Sequence, residues 1–145
     1  MIRSLLALAL LVALNPTACF ADETVSVDQA NAALRKGVEY FRSKVSIRGG
    51  YLWRYAADFS EREGEIPASA TTAWVQPPGT PSVGTAYLNV YELTGDDFYL
   101  KAARETALAL VHGQLESGGW DYRIEFDPRD RAYHAYRTGD QQFDE

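Results

Sequence analysis

TPSVGTAYLNVYELTGDDFYLKAARETALALVHGQLESGG, residues 80–119, is the stretch whose reading decides the fold. Thr80-Pro81 is a capping residue followed by proline, whose fixed φ and missing N–H suit the first helical position. Val83, Ala86, Tyr87, Val90 and Tyr91 then share one face at helical spacing, and Gly95 stops the helix. Asp96-Asp97 opens the next helix at once. Its expected buried stripe is Leu100, Ala103, Ala107, Leu110 and Val111, closed by Gly118-Gly119. A link this short predicts an antiparallel helical hairpin.

Toward the N-terminus, Ser26 with Gln29 three residues on forms a capping box. It opens a helix whose apolar face is Ala30, Leu34, Val38, Phe41 and Val45, ending at Gly49-Gly50. The intervening Tyr51–Gly79 reads as one long irregular stretch rich in Trp, Tyr, Thr, Pro and Gly. A loop of that length in a compact domain is usually functional. An internal echo joins the two ends of this region. Arg48-Gly49-Gly50-Tyr51-Leu52-Trp53-Arg54-Tyr55 resembles Ser117-Gly118-Gly119-Trp120-Asp121-Tyr122-Arg123, with the glycine pairs 69 residues apart. Helix, Gly-Gly and aromatic turn, twice over, predict a repeated helical-hairpin array whose units need neighbours to bury their apolar faces.

Residues 1–21 read as a signal peptide. Arg3 precedes an unbroken apolar run, Leu5–Leu14, and Pro16 ends it. Ala18-Cys19-Phe20-Ala21 places small residues for cleavage after Ala21. Ten apolar residues are too few to span a bilayer. Lipidation at Cys19 is disfavoured, because Pro16 stands where a Leu-like residue is needed. The mature chain, 22–145, then has no cysteine and so no disulfide or Cys-based metal site. It is one domain at most, expected in the periplasm or outside the cell. The formal charge of −6 argues against nucleic acid and anionic membranes as partners, and no second apolar stretch is long enough for a span.

GGYLWRYAADFSEREGE, followed by TTAWVQPPGTPSVGTAYLNVYELTGDDFYLKAARETALALVHGQLESGGWDYRIEFDP, resembles the N-terminal region of bacterial pectic acid lyases. The likeness covers roughly Gly49–Pro128, and its most specific segment is WVQPPGTPSVG. These proteins are similar to the pectate lyases with an all-helical (α/α) toroid. The resemblance implies an all-α fold, an incomplete (α/α) toroid over 22–145, with the catalytic carboxylates, catalytic Arg and calcium ligands further along the family's chain. It also implies calcium as cofactor and an acidic polysaccharide as substrate.

Pectate lyases cleave by β-elimination: a base takes the proton beside the carboxylate, and a cation stabilises the charge that develops. Arg54 and Arg123, each among aromatics after a Gly-Gly turn, are candidates to pair with substrate carboxylates. Salt bridges or stacking on the neighbouring rings are the competing roles. Trp53, Trp74 and Trp120, with Tyr55 and Tyr122, are candidates to stack on sugar rings, against core packing for any one of them. The substrate-binding set is thus Trp53, Arg54, Tyr55, Trp74, Trp120, Tyr122 and Arg123. Glu61, Glu63 and Glu65 fit no EF-hand and read as a solvated loop. Asp121, Glu125 and Asp127 offer a general acid or metal ligand, and Asp121 with Glu125 would serve a helical-toroid glycoside hydrolase, the first alternative. A non-catalytic polysaccharide-binding module is the second. His112 and His134 make no metal pattern, and there is no nucleophile elbow, Rossmann glycine pattern or P-loop.

Overall fold

The computed structural model describes residues 25–138; the signal-peptide reading lies outside them. The chain is mixed rather than all-α. Helix α1 (Val27–Tyr40) runs into a wider π-type turn, Phe41–Val45. Strands β1 (Arg54–Tyr55), β2 (Arg62–Glu63) and β3 (Thr72–Trp74) follow, then helices α2 (Thr80–Thr94) and α3 (Asp97–His112). Strand β4 (Arg123–Glu125) and the short helix α4 (Pro128–Arg131) complete it. Two antiparallel two-stranded sheets, β1–β2 and β3–β4, overturn the incomplete-toroid expectation. Strands of two or three residues are too short to display alternation, and β4 lies about fifty positions from its partner. Helical periodicity therefore dominated a sequence whose sheet is assembled from distant pieces.

The helix starts hold where the capping chemistry is local. Ser26 Oγ accepts from the Gln29 N–H (3.1 Å), and the Gln29 side chain accepts from the Ser26 N–H (2.8 Å). Asp96 caps α3 through the Phe98 N–H (2.9 Å), and Gly95 ends α2 at φ 68°. Thr80 does something else. Gly79 precedes the helix, and the Thr80 hydroxyl, fully buried, is turned onto Tyr51. It accepts from the Tyr51 N–H (2.9 Å) and donates to the Tyr51 carbonyl (3.2 Å).

The Gly-Gly pairs do not end helices. Arg48 (φ 48°) and Gly49 (φ 81°) form a two-residue turn closed by Ile47 and Gly50, the type I′ pattern of tight hairpins. A Cβ on Gly49 would also stand 2.1 Å from the Glu105 carbonyl oxygen, so α3 lies directly against this turn. Leu115–Gly119 forms a three-residue reversal with Gly118 at φ 88°. The two turns differ in length and do not repeat a helical hairpin; the segments that follow them flank one strand. The Trp74 N–H donates to the Tyr51 carbonyl (2.9 Å) on one edge of β3. The adjacent Val75 N–H donates to the Tyr122 carbonyl (2.8 Å) on the other.

The α2–α3 hairpin forms as expected, but of the expected α3 stripe only Ala103 is buried and Leu110 half-buried. Tyr99, Ala102, Ala103, Thr106 and Ala109 are buried; Leu100, Ala107 and Val111 are exposed. Small residues win the interior because the neighbours come so close: Gly84 of α2 meets the Thr106 side chain. On α1 only Val38 and Val45 of the expected face are buried, while Leu34 and Phe41 border an open apolar groove against α2. Two clusters share α3. Val38, Val45, Tyr51, Tyr87, Tyr99, Ala102 and Ala103 form one, and Ala73, Ala109, Ile124 and Phe126 the other. Within the first, the Tyr51 and Tyr87 hydroxyls are hydrogen-bonded at 3.0 Å, and Arg42 makes a two-pronged contact with Glu105. Among the described residues no helix is long and apolar enough to cross a membrane.

Thr80→Val keeps the shape but strands the buried Tyr51 N–H. It is expected to destabilise the fold by about 1–3 kcal/mol. Thr85→Val, on an exposed turn of the same helix, should fall within about 0.5 kcal/mol of the parent. Urea unfolding of the two variants decides, and equal midpoints would remove the Thr80 hydroxyl from the account.

Candidate functional site

The β3–β4 sheet has two unlike faces. Ala73 and Ile124 point into the core at 0% exposure. The pairs Thr72↔Glu125 and Trp74↔Arg123 point the other way, because side chains alternate along a strand. Above this second face lies a cleft of about 410 Å³. Its lining includes Ser69 from the approach to β3, all four of those sheet residues, and Asp130, Tyr133 and His134 from the α4 region.

The far wall is held by Arg131. Its guanidinium is buried and donates to the carbonyls of Glu125 (2.8 Å) and His112 (3.0 Å) and to the Thr138 hydroxyl (3.2 Å). It also lies 4.1 Å from the centre of the Tyr136 ring, a cation–π contact. The Tyr136 hydroxyl in turn accepts from the Glu125 N–H (2.9 Å). One arginine thus ties the segment carrying Asp130, Tyr133 and His134 to both α3 and β4.

Glu125 forms part of the floor. Its Oε2 accepts from Thr72 Oγ1 (2.9 Å), and its Oε1 accepts from the N–H groups of Phe126 (2.8 Å) and Asp127 (3.1 Å). Burial pushes the carboxyl up, but hydrogen bonds from Thr71, Asp127, Thr72 and Phe126 outweigh it, so its pKa lies below the ordinary value. An ionised carboxylate with both oxygens engaged does not serve as a general acid. Asp121 Oδ1 accepts from the Tyr122 N–H (2.6 Å), and Asp127 caps α4 while bonding the Arg129 guanidinium.

The structure divides the residues proposed for substrate binding. Trp74 and Arg123 come together as a cross-strand pair. The Trp74 ring, however, is 3% exposed: Gly64 lies so close that a Cβ there would sit 2.1 Å from it, and Trp53 meets it edge-on at 6.0 Å. It is a wall, not a platform for a sugar. Trp53, Arg54 and Tyr55 line a second groove of about 360 Å³ with Phe59 and Pro78. There Arg54 pairs with Glu63, and Tyr55 accepts from the Leu52 N–H (2.6 Å). Trp120 and Tyr122 are exposed outside both grooves, with Trp120 Nε1 donating to the Leu110 carbonyl (2.7 Å). Arg123 keeps its place: it is exposed at the cleft and, among the described residues, makes no side-chain hydrogen bond or ion pair. Ser69, Thr72, Asp130 and Tyr133 were not marked by any sequence motif, and His134 stood only in a polar tail.

Calcium takes six to eight oxygen ligands. Among the described residues no group of three or more Asp, Glu, His or Cys side chains is placed to hold a metal. In the cleft, Glu125 is already saturated and Asp130 is a single carboxylate, so these residues do not fit a calcium site.

Glu125 gives the cleft a pH signature. Its folded pKa lies below the unfolded one, so its stabilisation is full above about pH 4.3 and is lost as pH falls through the folded value. Glu125→Gln should flatten the acid side of the stability profile, followed by urea unfolding at stepped pH. An unchanged slope would locate acid sensitivity elsewhere. The chain matches no family model, no curated protein and no solved structure.

Proposed function

We propose that this chain is a pectate lyase-like protein, exported from the cytoplasm, that takes an acidic polysaccharide into the β3–β4 cleft. The observation that supports the reading is Arg123: an exposed side chain with no protein partner among the described residues, set in a cleft that also carries Asp130, Tyr133 and His134. A planar guanidinium matches a carboxylate with two parallel hydrogen bonds. Asp130 offers acceptors for sugar hydroxyls, and Tyr133, 88% exposed, offers an aromatic surface at the rim. A uronate unit carries both an anion and hydroxyls, and so uses both halves of this lining.

The reaction of the reading is β-elimination. A proton leaves the carbon beside the carboxylate for a base, and the glycosidic C–O bond on the next carbon breaks. A double bond forms between the two carbons, and the departing oxygen is protonated. No water is consumed and no oxidant is needed.

In a native gel containing polygalacturonate, the protein is expected to be retarded, and a neutral glucan should leave its migration unchanged. Where the polymer is cut, elimination is read as an unsaturated uronide. New reducing ends without unsaturation would assign hydrolysis, and equal migration in both gels would remove the acidic substrate.

A further inference from the structure

We infer that Arg123, and not a bridging calcium ion, supplies the positive charge that holds an acidic sugar chain in the β3–β4 cleft. The inference rests on the acidic-polysaccharide reading and specifies its chemistry. Two features of the molecule carry it. The first is the state of the carboxylates. Glu125 spends both oxygens on Thr72, Phe126 and Asp127, and Asp127 spends both on Arg129. Only Asp130 brings a carboxylate to the cleft without such engagement among the described residues, and one carboxylate falls far short of a calcium shell.

The second is the state of the cation. Arg123 is the Lys or Arg side chain in the cleft lining, and its guanidinium is not committed to any group among the described residues. The pairing of Trp74 with Arg123 fixes where its side chain leaves the sheet, beside the closed Trp53–Trp74 wall. Binding needs such a local cation because the chain as a whole is acidic, at a formal −6, and gives a polyanion no long-range attraction. Glu125 and Asp130 add local repulsion that Arg123 must offset. The site therefore discriminates by charge on the ligand and is indifferent to free calcium.

The test is calorimetric titration of the whole chain with a short polygalacturonate oligosaccharide, once in chelator and once with added calcium. The two dissociation constants should agree within about twofold, and Arg123→Gln should weaken binding by about tenfold or more in both. Arg123→Lys should fall between, since an ammonium keeps the charge but loses the fork. Lys101→Gln, on the outer face of α3, serves as the charge control, and thermal unfolding of each variant checks that the fold survives. Binding that appears only with calcium overturns the inference and leaves the polysaccharide reading standing. Chelator-resistant binding that ignores both Arg123 substitutions removes Arg123. Absence of binding in both buffers removes the reading and the inference together.

Discussion

The main chain of Tyr51 is the joint on which the other elements depend. Its N–H and carbonyl both engage the Thr80 hydroxyl, and the same carbonyl accepts from the Trp74 N–H. Its ring packs on Phe41 and meets Tyr87 through their hydroxyls. One residue thus fixes the end of α1, the edge of β3 and the start of α2. All of these polar groups are buried, and an unmade hydrogen bond there costs more than a made one gains. That asymmetry allows little freedom in how the turn, strand and hairpin meet.

From this joint the cleft follows by short steps. With β3 fixed on one edge by Tyr51, its other edge is free to accept β4. The alternation of β4 sends Ile124 into the core and Glu125 and Arg123 to the cleft. Arg131 then brings the α4 segment over Glu125. The cleft is a by-product of satisfying buried polar groups, which explains why its floor is rigid in chemistry while its rim, Arg123 and Tyr133, is open to solvent.

How much of this was legible depended on the range of the interactions. Ser26, Asp96 and Gly95 act within three or four residues, and their helix ends were readable from neighbours alone. The stripe on α3 was misread because the helix is apolar on two sides, and periodicity cannot say which side a glycine-bearing neighbour will approach. Thr80 was readable as a capping residue, but its partner lies 29 positions away. Arg123 and Trp74 were each singled out for chemistry. That they would stand opposite one another was not legible, because strand register is set by contacts distant in sequence. Ser69, Asp130 and Tyr133 had no local pattern at all and entered the site only through the placement of Arg131 and Glu125. The all-helical expectation failed for the same reason: the sheets are built from pieces too short to announce themselves.

The bracketing of β3 has a consequence for a chain that folds as it emerges, N-terminal end first. The edge facing Tyr51 can be covered as soon as the α2 start has been made. The opposite edge must wait until Arg123–Glu125 emerges, after the whole helical hairpin. During that interval a strand bearing Trp74 presents unpaired N–H and carbonyl groups, the situation in which nascent chains pair wrongly with one another. The brevity of the strand, three residues, limits that hazard: an edge so short offers a neighbouring chain almost nothing to align with.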